Sequence, residues 1–124
     1  DSPGAATLTE IGKAAAVPFD AASPYTMESY DAAALIMLAM QAANSTDPKV
    51  YAGKIMEIAN GPADGSGVKI MPGEIGKGLE LIAAGTAINY EGASGVNLIG
   101  PGESAGRYRQ FEIKDGKYET VIFR

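Results

Sequence analysis

The chain has 124 residues, 46 % of them hydrophobic and 20 % charged, with a net charge of −5. That suffices for one globular domain with a modest core. It has no Cys, no His and no Trp, which excludes a zinc finger, a thiol nucleophile, a Ser-His-Asp triad and a haem ligand set. A protein that is not an enzyme and uses no cofactor or metal is therefore expected. The acidic residues are scattered and no basic face is visible, which argues against nucleic acid and anionic lipid as partners. The longest apolar run is too short to span a bilayer, and the lack of Cys fits the cytosol and the bacterial periplasm alike.

Residues 1–4 are a polar start that reads as frayed. They begin at Asp1 with no Met and no signal segment, so a processed protein or a piece of a longer one is expected. Leu8, Ile11 and Ala15 at helical spacing predict a short helix over residues 5–16. Residues 17–24, bracketed by Pro18 and Pro24, read as irregular.

Residues 29–43 (SYDAAALIMLAMQAA) carry one charge, Asp31, and no Pro or Gly, a strong helix signal. Thr26 is the expected N-cap, with Glu28 and Asp31 near the positive end of the helix dipole. Tyr30 is expected to be buried with its hydroxyl bonded. Leu35, Ile36, Met37, Leu38 and Met40 point all round this helix, so it must be covered on most sides. The few other elements can hardly do so, and a covering sheet outside this chain is expected.

Asp47 or Thr46 caps a following helix with Pro48 in its first turn, and Val50, Tyr51, Ile55 and Ile58 form its stripe. Asn60-Gly61-Pro62 stops it. A loop over residues 61–67 precedes an extended piece at 68–71. Pro72-Gly73-Glu74 opens a third helix with Ile75, Leu79, Ile82 and Ala83 on one face and Gly85 after its end. Residues 88–90 read as extended, 91–95 as a tight turn, 96–99 as a short strand and 100–106 as a loop. Residues 107–114 and 117–123 alternate around Asp115-Gly116, the signature of a two-residue hairpin.

Several local patterns have plain readings. The Gly-rich loops at 61–67 and 100–106 lack the Gly-Lys-Ser/Thr ending of a phosphate cradle, and Asp64-Gly65-Ser66-Gly67 lacks the alternating acids of a calcium loop. Asn44-Ser45-Thr46 matches the glycosylation acceptor pattern but sits at a helix boundary. Arg107 and Arg109 fall on one face of a strand, where edge charges discourage aggregation.

Three sets of residues, in this order, resemble a known family. Pro24-Tyr25 and Ser29-Tyr30-Asp31-Ala32-Ala33 open an apolar helix. Ser45-Thr46-Asp47-Pro48 opens an amphipathic one. Tyr90-Glu91-Gly92-Ala93-Ser94-Gly95 precedes Ala105-Gly106-Arg107-Tyr108 and Phe111-Glu112-Ile113-Lys114-Asp115-Gly116-Lys117. From about Pro24 to Arg124 the chain is similar to the C-terminal part of the periplasmic solute-binding proteins of bacterial ABC transporters, in the branched-chain amino-acid (Leu/Ile/Val) receptor family.

The resemblance implies an α/β class, α+β in the isolated piece. The fold would be part of a type I periplasmic binding protein, helices first and an antiparallel hairpin last. Residues 1–24 would form a helix and lead-in, 25–95 the helical segment of one lobe, and 96–124 the crossover and hairpin. It implies a receptor that closes two lobes on an amino acid or similar small polar ligand and delivers it to ABC permease subunits, in the periplasm and without covalent chemistry. The segment before the Tyr-Asp-Ala helix lies at the cleft in that family, which makes Tyr25 and then Met27 the expected ligand contacts. The alternative is a small α+β structural or interaction module that associates through its apolar helix. In either case the isolated chain is expected to self-associate.

Overall fold

The computed structural model describes residues 2–100, 102–104, 106 and 108–123. Helix α1 (Pro3–Ala14) starts on a proline, whose fixed φ suits a first helical position, two residues before the expected start. Helix α2 (Thr26–Ala43) follows an irregular stretch. A short helix α3 (Pro48–Tyr51), a 3-10 turn (Ala52–Lys54) and helix α4 (Ile55–Asn60) run on from one another. Strand β1 (Val68–Ile70), helix α5 (Ile75–Ala83) and strand β2 (Ile88–Tyr90) make a βαβ unit, with β1 and β2 paired in parallel, Val68 against Ile88 and Ile70 against Tyr90. Strands β3 (Leu98–Gly100) and β4 (Glu103–Ser104) form a small antiparallel ribbon. Strands β5 (Arg109–Lys114) and β6 (Lys117–Phe123) form the C-terminal hairpin. Helices with small sheets and a terminal antiparallel hairpin make a mixed α+β chain, consistent with a piece of a periplasmic binding protein fold.

The main core joins one side of α2 (Ala34, Leu35, Leu38) to Ile58 and Ala59 of α4, Ile70 of β1, Ile88 and Tyr90 of β2, and Leu98 of β3. Helix α5 adds Ile75, Leu79 and Ile82, half-buried. Each such aliphatic burial contributes about 1.5–3 kcal/mol. The chain's own elements thus cover one side of α2, which corrects the expectation that its cover lies elsewhere. The other side stays open, with Ile36 38 % and Met37 42 % exposed. A second, smaller core joins Leu8 of α1, Ala21 and Ala93, with Ile11, Met27 and Tyr30 against it.

Helix ends follow backbone chemistry. Asn44 adopts φ 47, and the N–H groups of Asn44 and Ser45 return to Gln41 and Met40, closing α2 with a paired-carbonyl stop. Gly85, Thr86 and α5 repeat the arrangement. Of the two candidate caps of α3, Asp47 is the one used: its carboxylate accepts from the Lys49 N–H at 2.9 Å. Two expectations fail. The N-cap of α2 is Tyr25 in the left-handed region, not Thr26, which is already helical. The helix expected from Pro48 to Asn60 is broken by the 3-10 turn around Gly53, which leaves Val50 exposed.

The hairpin turns at Asp115 and Gly116, both at positive φ, the geometry that matches strand twist. Its two faces differ. Phe111, Ile113 and Tyr118 share one, with the Phe111 and Tyr118 rings edge-to-face at 4.8 Å. On the other, Glu112 lies opposite Glu119, a repulsive pair that Lys114 bridges at 2.6 and 3.6 Å. Every hairpin residue whose side chain is described is exposed. Arg107 lies outside the described residues, as does the Arg109 side chain, and with them the expected shared face.

Candidate functional site

In a parallel sheet the strands' carboxyl ends are where loops converge and ligands are usually held. Here the loops leaving β1 (residues 71–74) and β2 (residues 91–95) meet the amino end of α2. The Tyr30 hydroxyl accepts from the Gly73 N–H at 2.8 Å, as a half-buried tyrosine requires. At the start of α5, Glu74 accepts from the Met71 N–H at 2.9 Å and pairs with Lys77 at 3.0 Å. That backbone bond, then Lys77, holds its carboxyl below the usual value. Lys69 of β1 pairs with Glu91, just after β2, at 2.9 Å.

Asp31 organises this edge. Its side chain is almost completely buried, at 2 % exposure, and among the described residues no cation pairs with it. One oxygen accepts from the Tyr90 hydroxyl (2.8 Å) and the Ala93 N–H (2.7 Å). The other accepts from the Ser94 N–H (2.7 Å) and the Ser94 hydroxyl (2.6 Å). Four donors on one carboxylate meet the requirement that a buried charge be solvated by the protein. The turn fits because Gly92 sits at φ 67 and any Cβ there would come within 2.8 Å of the Asp31 carboxylate. Burial first, then the Asp31 charge and hydrogen bond, push the Tyr90 phenol far above its ordinary value.

Asp31 therefore does not serve the dipole of its own helix, as expected from its position; it ties α2 to the turn after β2. Helix α1 seals the arrangement. Gly4 lies so close to Gly92 that a Cβ on it would stand 1.9 Å from the Gly92 carbonyl oxygen. The Ser2 hydroxyl donates to the Ala93 carbonyl.

Tyr25 and Met27 lie at this edge but diverge. Tyr25 is 78 % exposed in its left-handed conformation, free to meet a ligand or partner. Met27 turns inward and packs half-buried on the Leu8 cluster. The residue that single-position reading missed as an organiser is Asp31. The available signal was Asp31 together with a Tyr-x-Gly-Ala-Ser-Gly turn rich in backbone donors.

A polar recess of about 160 Å³ opens nearby, lined by Asn60, Asn89, Glu91 and Asn97. Asn60 is engaged twice with the Leu98 backbone, at 2.8 and 2.9 Å. Beyond the strands' opposite ends lies a groove of about 370 Å³, floored by Ala42, Ile58, Ile82 and Ile88 with Lys54 and Glu57 at its lip. No helix among the described residues is long and apolar enough to cross a membrane. Nor do they contain a group of three or more His, Cys, Asp or Glu that could hold a metal ion.

No protein-family model matches the chain, and no solved structure matches it. The chain is 36 % identical over 98 residues to a protein of Halobacterium salinarum named chemotactic signal transduction system substrate-binding protein BasB. The match takes in 78 % of this chain and 23 % of that protein, so the chain spans under a quarter of the length of the curated relative it matches. This similarity supports a solute-binding family for the chain, without specifying the solute.

Proposed function

We propose that this chain forms part of an extracytoplasmic receptor that holds an amino acid or similar small polar solute between two lobes. The receptor hands the solute to ABC permease subunits in the membrane. The observation that carries the reading is the similarity to a substrate-binding protein across most of this chain. The geometry fits: a parallel βαβ unit whose carboxyl-end loops are locked to the amino end of α2, with an exposed aromatic, Tyr25, on that edge. A rigid edge suits a lobe that closes as a body, the solute stabilising the closed state through contacts from both sides. Tyr25 contacts the solute, while Met27 packs inward on the Leu8 cluster. No covalent step is involved.

The test is a thermal-shift and calorimetric screen of the receptor containing this chain against amino acids, small organic acids, amines and sugars. One class should raise the melting temperature, by about 2.7 kcal/mol of stabilisation at a hundredfold excess over Kd. Tyr25→Ala should weaken binding without lowering unliganded stability. A receptor that binds none of these solutes contradicts the reading.

A second reading has its own observation. Ile36 and Met37 are exposed on α2, and Phe111, Ile113 and Tyr118 are exposed on one hairpin face. Such surface also fits an interaction module that pairs through its apolar helix, and it supports self-association of the isolated chain. Light scattering coupled to size-exclusion chromatography reads this directly, as a mass above the monomer that Ile36→Asp with Met37→Asp restores to the monomer.

A further inference from the structure

We infer that Asn44 is a glycan attachment site and that the trough beside it seats the first sugars. The inference rests on the extracytoplasmic location proposed above.

Asn44-Ser45-Thr46 satisfies the Asn-x-Ser/Thr acceptor pattern, but a pattern this short is weak unless the fold gives each residue the right surroundings. Asn44 is exposed at the carboxyl end of α2. Its backbone supplies the helix stop, and among the described residues no hydrogen bond engages its side-chain amide. The helix boundary accounts for the neighbours: the Ser45 hydroxyl accepts from the Asp47 N–H at 3.1 Å, and Asp47 caps α3. It does not account for Thr46, whose side chain is exposed and bonds nothing among the described residues. The stop, the Ser45 turn and the Asp47 cap would all stand without the Thr46 hydroxyl, whereas acceptor recognition requires it.

The second observation is the surface alongside. Met37, Met40, Gln41 and Asn44 follow one another at helical three- and four-residue spacing, so they share a face of α2. With Ser45 and Thr46 they line an open trough of about 530 Å³. A saccharide leaving Asn44 toward the amino end of α2 would lie along this trough. Its C–H faces would rest on Met37 and Met40, and its hydroxyls would meet the Gln41 amide. That occupant shields apolar surface the chain leaves open. In the attachment step, a bond forms between the Asn44 Nδ2 and C1 of a saccharide carried on a polyprenyl phosphate or pyrophosphate. The C1–O bond to phosphate breaks, the lipid phosphate leaves with the electron pair, and one Nδ2 proton is lost.

The experiment isolates the protein from its native host, digests it with trypsin and measures the mass of the peptide covering residues 14–49, with cell fractionation of the same culture. The expected result is a saccharide mass on Asn44 in the wild type. It should be absent in Thr46→Ala and Asn44→Gly and retained in Thr46→Ser, with the melting temperature of Thr46→Ala unchanged apart from any contribution of the glycan itself. An unmodified peptide from protein exposed outside the cytoplasm overturns the inference and leaves the receptor reading intact. Protein confined to the cytoplasm overturns both the inference and the proposed location. Modification that persists in Thr46→Ala overturns the acceptor role of this triplet.

Discussion

Replacing Asp31 tests most directly what holds this chain together. The Asp31→Ala change removes the acceptor of four hydrogen bonds at once, two of them from backbone N–H groups at Ala93 and Ser94. Each donor stranded in a buried site costs about 1–3 kcal/mol. The Tyr90 and Ser94 hydroxyls can turn toward other partners, but the two amides cannot, so a loss of about 3–5 kcal/mol is expected. That is a large part of the roughly 5–15 kcal/mol that stabilises a typical domain. Asp31→Asn keeps the shape but turns a donor toward a donor, and should cost about 2–3 kcal/mol. Asp31→Glu keeps the charge but forces an extra methylene against Gly92, where there is no room. Urea unfolding followed by circular dichroism gives the differences. If Asp31 merely complemented the dipole of α2, the alanine change would cost about 0.3–1 kcal/mol and glutamate would substitute freely. That pattern would refute the clamp.

Five further outcomes follow from the packing and the electrostatics. Gly78→Ala should destabilise, because the added Cβ would lie 2.8 Å from Leu38. Gly76→Ala, on the same helix with open space around it, should stabilise by about 0.5–1 kcal/mol; paired melting curves of the two variants test this. Gly4→Ala should lift α1 off the turn after β2, read as faster amide exchange in residues 5–14 and 92–95. The Tyr90 phenol, whose raised value favours its neutral form, stabilises the fold fully below the ordinary value near 10 and loses that contribution as pH rises beyond it. Absorbance titration should therefore show the Tyr90 phenol ionising only on unfolding, and Tyr90→Phe should remove that late step. Glu74 has its value lowered by the Met71 amide and Lys77, so its contribution is present above about 4.5 and lost as pH falls through the lowered value. Glu74→Gln should flatten the acid limb of the Met71 amide exchange rate.

Much of the secondary structure was legible because its causes are local. The hairpin needed only alternating residues around Asp115-Gly116. The end of α5 needed Gly85, and α3 needed Asp47 before Pro48. The apolar composition of residues 29–43 made α2 certain as a helix but said nothing of which side is covered, because hydrophobic residues surround its axis. Only the placement of α4, α5 and the two parallel strands chose Ala34, Leu35 and Leu38 for the core and left Ile36 and Met37 outside. The break around Gly53 escaped notice because the apolar spacing runs through it.

The candidate site divides the same way. Tyr25 could be placed at the amino end of α2 from its neighbours, but its outward course and the inward course of Met27 depend on the left-handed backbone at Tyr25 and on Leu8 and Ala93 behind. The role of Asp31 depends on residues 59 to 63 positions further along the chain. Local sequence sets the charge and the helix that carries it. Which donors solvate that charge is decided when β2 pairs beside β1 and the turn after it is brought against α2, since a carboxylate withdrawn from water must be satisfied by whatever the packing delivers.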